Sequence, residues 1–346
     1  MGRISFGIGI EPTDSLRRTV EIAKMVETLG YGFLGICDER LGGQRDAYVT
    51  LAACALNTNG IVIGPHISDP YSRHPVMLAQ AIASLDELAP GRTIIPLGAG
   101  GSGFSQIGFE RTKPAQTLKE AVQIIRALLT DGKCHFEGRV FKVRHATLGL
   151  EAHRLPIYVS SRSPKVLQAA GEVADGVVIG TYAAREAIEY ALANVADGAR
   201  KGGRDLNSIE IVSWVYMSIS DDSQTAMNSV RPFVASAIYR TSPEAYPHIG
   251  ITTELAERVR KVFDRGDDLY GDASLEAGRL LADDVVRKFS IAGDAEDCVE
   301  HIRQIEKVGI RKIWIMPFSF PGAHYIRPES YDVLRPFAEN VMNGFK

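Results

Sequence analysis

The segment Ser160-Ser161-Arg162-Ser163-Pro164-Lys165 holds three hydroxyls and two cations immediately before a helical pattern. Helix N-termini expose unpaired N–H groups and a partial positive charge, so the natural ligand of such a segment is a phosphate. The same residues also fit an ordinary serine cap with proline in the first turn. Gly180-Thr181, at the next strand end, would sit beside them and strengthens the phosphate reading. Gly98-Ala99-Gly100-Gly101-Ser102-Gly103 follows a strand but has GxGGxG spacing, not the GxGxxG of a dinucleotide loop. Glycines there would let the backbone approach a flat ligand, because no side chain stands in the way; a tight turn is the other reading.

Two further clusters carry polar chemistry. HISDPYSRHP (66–75) packs His66, Ser68, Asp69, Arg73 and His74 into one loop. Its histidines are eight apart across Pro70, which does not suit a metal pair, and Arg73 and His74 are read as lining a pocket or capping the helix that begins at Pro75. Asp38-Glu39 places adjacent carboxylates at a strand end, where one raised pKa would supply a general acid; a solvated loop is the alternative. No nucleophile elbow, HExxH or P-loop occurs, which leaves hydrolase chemistry without a foothold.

The elements that must position these residues follow a beat. Apolar runs at 4–10, 32–37, 61–67 and 93–100 start about 30 residues apart, the length of one strand plus one crossover helix. Between the first two, Leu16, Val20, Ala23, Val26 and Leu29 have helical spacing and Gly30 stands past the end. Further strands are expected at 156–161, 176–180, 209–219 and 311–318. HFEGRVFKV (135–143) reads as a hairpin insertion, and 241–285 as a helical or loop insertion. Eight strands favour a closed (β/α)8 TIM barrel, one domain over 1–346, with its chemistry on the loops after the strands. Trp214, Tyr216, Phe318 and Phe320 are expected as core or pocket wall, and Cys37 as a buried packing thiol.

Composition agrees with a globular enzyme. Of 346 residues, 45% are hydrophobic and 23% charged, and 39 Lys+Arg against 42 Asp+Glu leave a formal −3, which gives no footing for a nucleic-acid partner. Four separated cysteines without a CxxC argue against a disulfide scaffold or a cysteine-rich metal site. No signal peptide or membrane span is expected, so the expected location is the cytoplasm.

Four stretches in order resemble the luciferase-like flavin and deazaflavin oxidoreductase family: GICDERLGG, IGPHISDPYSRHP, LDELAPGRTIIPLGAGG and PIYVSSRSPKVLQAAGEVADGVVIG. FSIAGDAEDCVEHIRQIEKVGI is similar to the family's closing helix. The resemblance implies a (β/α)8 barrel binding FMN or coenzyme F420 at the strand C-termini, and a homodimer. It implies a cis peptide bond at His66–Ile67 backing the ring, with Ser68 in the same bulge. Gly98, Ala99, Gly100 and Gly101 become the ring wall. Ser160, Ser161, Arg162, Ser163, Lys165, Gly180 and Thr181 become the phosphate site. Asp38, Glu39, His66, Arg73 and His74 are the catalytic candidates, with roles unassigned.

Within the family, IGFERTKPAQTLKEAV (107–122) looks most like the F420-dependent methylenetetrahydromethanopterin reductases. Where those carry a first-strand Glu this chain has Gly9, with Glu11 one alternation on. Where F420 enzymes often carry Asp-His it has Asp38-Glu39. The first reading is therefore an FMN-dependent monooxygenase, supplied by a separate flavin reductase and oxygenating a small organic substrate with O2. The alternatives are an F420-dependent reductase or dehydrogenase moving hydride at C5, and a flavin-binding barrel without catalysis.

Overall fold

Apolar runs with β-branched residues become strands, and most are followed by a helix that packs outside the sheet. The computed structural model describes residues 3–38, 44–101, 103–104, 107–151, 154–265, 271–319 and 328–345. The first half alternates β1 (Ser5–Ile10), α1 (Leu16–Leu29), β2 (Phe33–Ile36), α2 (Ala47–Ala55), β3 (Val62–Pro65), α3 (Pro75–Leu88), β4 (Ile95–Leu97) and α4 (Pro114–Asp131). An antiparallel hairpin follows, β5 (Lys133–Glu137) with β6 (Lys142–Thr147), wider at both ends than the expected 135–143. The alternation then resumes with β7 (Ile157–Ser161), α5 (Pro164–Val173), β8 (Gly176–Gly180), α6 (Arg185–Lys201), β9 (Glu210–Ile219) and α7 (Ser223–Tyr239).

The expected insertion is helical where it is described: a 3-10 turn (Pro243–His248), α8 (Thr253–Phe263), α9 (Asp272–Gly278) and α10 (Asp283–Arg287). The chain ends through β10 (Ser290–Gly293), α11 (Ala295–Lys307), β11 (Lys312–Pro317) and α12 (Leu334–Asn340). FSIAG thus contributes a short strand before its helix, which the sequence reading missed. Four residues are too few to show a period, and β10 is held by pairing with Tyr216–Ile219 of β9.

Eight parallel strands run in the order β3-β2-β1-β11-β9-β8-β7-β4. Bridges from Ile63 to Thr93 and from Ser68 to Leu97 join β3 to β4 and complete the ring. The architecture is a TIM-type barrel.

Glycines make the interior possible. A Cβ on Gly7 would collide with Trp314 and Phe33, and a Cβ on Gly9 or Gly35 with His66. Into that space Phe33 stacks on Trp314 at 3.9 Å between ring centroids, and Tyr158 lies parallel to Trp314 at 6.1 Å. The lower barrel is therefore plugged by aromatic rings, and the open space lies above them, toward the strand C-termini. Outside the ring, the strands' other faces and the helices form the main apolar core. Ser15 caps α1, and Gly30 ends it in the left-handed region at φ 89°. No helix among the described residues is long and apolar enough to cross a membrane.

Candidate active site

A cavity of about 230 Å³ opens at the strand C-termini. Its walls come from loops distant in sequence: Asp38 after β2, His66, Ile67 and Asp69 after β3, and Gly98–Gly101 after β4. Ser160–Ser163 at the end of β7 and just beyond it, Gly180 at the end of β8 and Trp214 from within β9 also line it. The barrel thus gathers most of the expected residues at one place.

The loop after β3 is the most constrained. The His66–Ile67 peptide bond is cis, as expected. Asp69 folds the following turn, its Oδ1 accepting from the N–H groups of Tyr71 and Ser72 at 2.8 Å each. His66 is 4% exposed, with Cys37 Sγ 3.9 Å from its Nδ1 and the Trp214 ring edge-on at 5.1 Å. Burial pushes its pKa down to about 4, so the ring is neutral near pH 7. His66 Nε2 and Trp214 Nε1 are both buried without a hydrogen-bond partner among the described residues.

Asp38 has a positioning geometry rather than that of a general acid. Arg73 Nε donates to its Oδ2 at 2.9 Å and Arg73 Nη2 to its Oδ1 at 3.0 Å, while Ser68 Oγ donates to Oδ2 at 2.6 Å. Arg73 also reaches Asp46 at 2.6 Å. Burial would lower the Arg73 pKa, but the hydrogen bonds and charges of the two carboxylates outweigh it and hold the guanidinium above its ordinary value. Ser68 sits behind Asp38, within 3.0 Å of the Tyr48 hydroxyl.

The loop after β7 has the anatomy of an anion cradle. Ser163 begins α5 without a side-chain cap bond, and Ser161 Oγ accepts from the Ser163 N–H at 2.9 Å. The first-turn N–H groups are therefore free of a capping side chain. Arg162 Nη1 donates to Thr181 Oγ1 at 2.6 Å, and Thr181 is fully buried with φ 52°. Thr181 thus braces Arg162 from behind the cavity wall.

Several expectations need correction in placement. Lys165 is exposed on α5 and does not line the cavity, and the additional cations that do are Arg111 and Arg240. Arg111 lies late in the long loop after β4, well past the glycines read there, and Arg240 ends α7, so reading the first residues after each strand did not find them. Arg73 stands behind Asp38 and does not line the cavity. His74 is exposed and caps α3, its Nδ1 accepting from the Val76 N–H at 3.2 Å; this was the second of its two expected roles. Glu39 and Phe320 lie outside the described residues.

The glycine wall also has a different cause at two positions. Gly100 has φ 64° and abuts the Phe104 ring, and a Cβ on Gly98 would come within 3.3 Å of Ile67. Only at Gly101 would a Cβ meet open space. Of the aromatics, Trp214 lines the cavity, whereas Phe318 stacks on Phe233 at 3.7 Å with Tyr216 beside it. All four cysteines are buried and none forms a disulfide, and no group of three His, Cys, Asp or Glu among the described residues could hold a metal.

Eight parallel strands closed into a ring, with a cavity at their C-termini, define a TIM-type barrel. A family described as luciferase-like monooxygenase matches residues 4–312, and the chain belongs to it. Among its relatives, the 5,10-methylenetetrahydromethanopterin reductase of Methanolobus tindarius is 31% identical, covering 90% of this chain and 93% of the relative. The F420-dependent glucose-6-phosphate dehydrogenase of Nakamurella multipartita is 27% identical, over 81% of this chain and 78% of the relative. The solved coenzyme F420 dependent tetrahydromethanopterin reductase of Methanopyrus kandleri superposes with a TM-score of 0.84 at 27% identity, covering both chains fully.

Proposed function

We propose that this protein is a coenzyme-F420-dependent oxidoreductase moving hydride between the cofactor and a small organic substrate. The observation that carries it is the near full-length likeness to reductases of the F420 type, in sequence and in fold. The FMN-dependent monooxygenase reading, with its separate flavin reductase, has less behind it: the monooxygenase RslO1 superposes at 19% identity, a likeness of fold alone. The residues present fit a flat anionic cofactor. Two unpartnered buried polar atoms, His66 Nε2 and Trp214 Nε1, wait at the cavity wall, and the α5 N-terminus with Ser160–Ser163 and Arg162 suits its phosphate.

When bound, F420 supplies a hydride donor or acceptor at C5 of its ring. The chain's own residues bind, orient and exclude water. The Ile67 bulge and the 98–101 wall support the ring. Arg162, braced by Thr181, holds the phosphate with the α5 N–H groups. Asp38, locked by Arg73 and Ser68, keeps a fixed negative group at the wall. The reading commits to no pterin substrate, because Gly9 puts no carboxylate on the first strand. A homodimer is part of it, supported by Val49 on α2 and Met77 on α3, which are 58% and 57% exposed.

The test is titration of the purified chain with F420 and FMN, followed by absorbance and fluorescence. Saturable F420 binding with weak or absent FMN binding is expected. Tight FMN binding without F420 binding would reverse the choice of cofactor.

A further inference from the structure

His66 occupies a position that the sequence prepares at two other places. Gly9 of β1 and Gly35 of β2 both point at its ring, and a Cβ at either would collide with it. The imidazole from the third strand therefore stands where a side chain of the first strand would otherwise project. Phe33, Trp214 and Trp314 enclose it at 6.4, 5.1 and 5.8 Å between centroids.

A core histidine kept for packing satisfies both ring nitrogens, because a buried unpaired polar atom costs about 1–3 kcal/mol. His66 does not satisfy both. Its Nδ1 faces the Cys37 thiol, while Nε2 has no partner among the described residues in a side chain that lines the cavity. Trp214 lines the same cavity, meets the His66 ring edge-on, and also leaves its indole N–H unpartnered. Two unspent polar atoms, carried by neighbouring rings that line one cavity, can serve the same ligand. The indole N–H only donates, and a neutral imidazole has a lone pair at one of its nitrogens.

We propose that His66 is the proton-exchanging catalytic residue of this cavity, with Trp214 Nε1–H holding the same substrate atom. The inference rests on the F420 reading and names the substrate class as a C–XH/C=X pair, X being oxygen or nitrogen. In the oxidising direction the C–H bond breaks and its electron pair leaves with the hydrogen, as hydride, for the oxidised deazaflavin. The X–H bond breaks, its proton passes to the Nε2 lone pair, and the electrons left on X form the C=X bond. The proton then passes to water at the cavity mouth, and reduction runs the same steps backwards. Burial, which holds the His66 pKa down at about 4, makes that release favourable near neutral pH.

The test uses the full chain, with its eight histidines labelled with 15N, with and without F420. His66 is assigned by the signal lost in His66→Gln. Two-bond proton–nitrogen spectra should show His66 neutral from pH 6 to 8 with Nε2 as a free acceptor. The probe 2,2,2-trifluoroethanol, a strong hydroxyl donor, should shift that Nε2 saturably and leave exposed His74 unmoved. Trp214→Phe should weaken the response about fivefold, as loss of one neutral hydrogen bond predicts. A His66 that is protonated at pH 7, or an Nε2 indifferent to trifluoroethanol in both the free and F420-loaded chain, would overturn the proposal. Failure to bind F420 would overturn the cofactor reading instead, and the His66 signals of the free chain would still decide this one.

Discussion

The imidazole of His66 fills the space that a Cβ on Gly9 would need, its Nδ1 lying 2.5 Å from that position. One residue's missing side chain thus gives room to another's ring, across two strands, and fixes the floor of the cavity.

Gly9→Ala should push the imidazole or bend β1, and overpacking of this kind costs about 1–3 kcal/mol. The urea midpoint should fall accordingly and F420 affinity should drop with it. An unchanged midpoint would show that the ring yields freely and that the fit is loose.

Asp38 has a side chain only 3% exposed, while Asp46, the other partner of Arg73, is 45% exposed. Arg73→Met should therefore destabilise by about 3 kcal/mol, since it strands a buried carboxylate. Asp46→Asn should cost the ion pair about 1 kcal/mol or less, beyond any effect on the α2 cap. Equal losses in denaturant unfolding would contradict the buried grip on Asp38.

Arg162→Ala should weaken F420 binding by about tenfold or more, the value of one charge-assisted hydrogen bond, and reduce its salt dependence. Lys165→Ala should leave binding unchanged, because Lys165 lies outside the cavity. Fluorescence titration at two salt concentrations separates the two, and a larger effect at Lys165 would relocate the anion.

Burial lowers the His66 pKa from its ordinary 6.5 to about 4. Below pH 6.5 the unfolded chain takes up a proton that the folded chain refuses until about pH 4. Stability is therefore full above pH 6.5 and is lost as pH falls through that window, by about 3 kcal/mol for this group. His66→Gln should flatten the slope of unfolding free energy between pH 7 and 5. His301, whose pKa burial also lowers, should retain a part of it. A slope identical in the variant would place the titration elsewhere.

If α2 and α3 carry the dimer, Val49→Glu with Met77→Glu should halve the mass seen by light scattering. A parent chain that is monomeric at micromolar concentration would dispose of that arrangement.

The sequence by itself determined the barrel. All eight ring strands stand out as apolar runs, because a parallel strand buried on both faces must be apolar throughout. The shortest is β4, only Ile95–Leu97, and bridges join it to β3. SSRSPK was legible as a helix start because a helix N-terminus is a local feature, and the cis bulge was legible through resemblance. The tertiary structure alone decided which cations face the cavity, since exposed Lys165 and cavity-lining Arg111 and Arg240 depend on helix facing and loop path. It alone showed that His74 caps while His66 points inward, and that Asp38 is already bound by Arg73. Gly9 read as a missing acid in the sequence; it proved to be the space for His66, a relation between strands that no single strand's pattern contains.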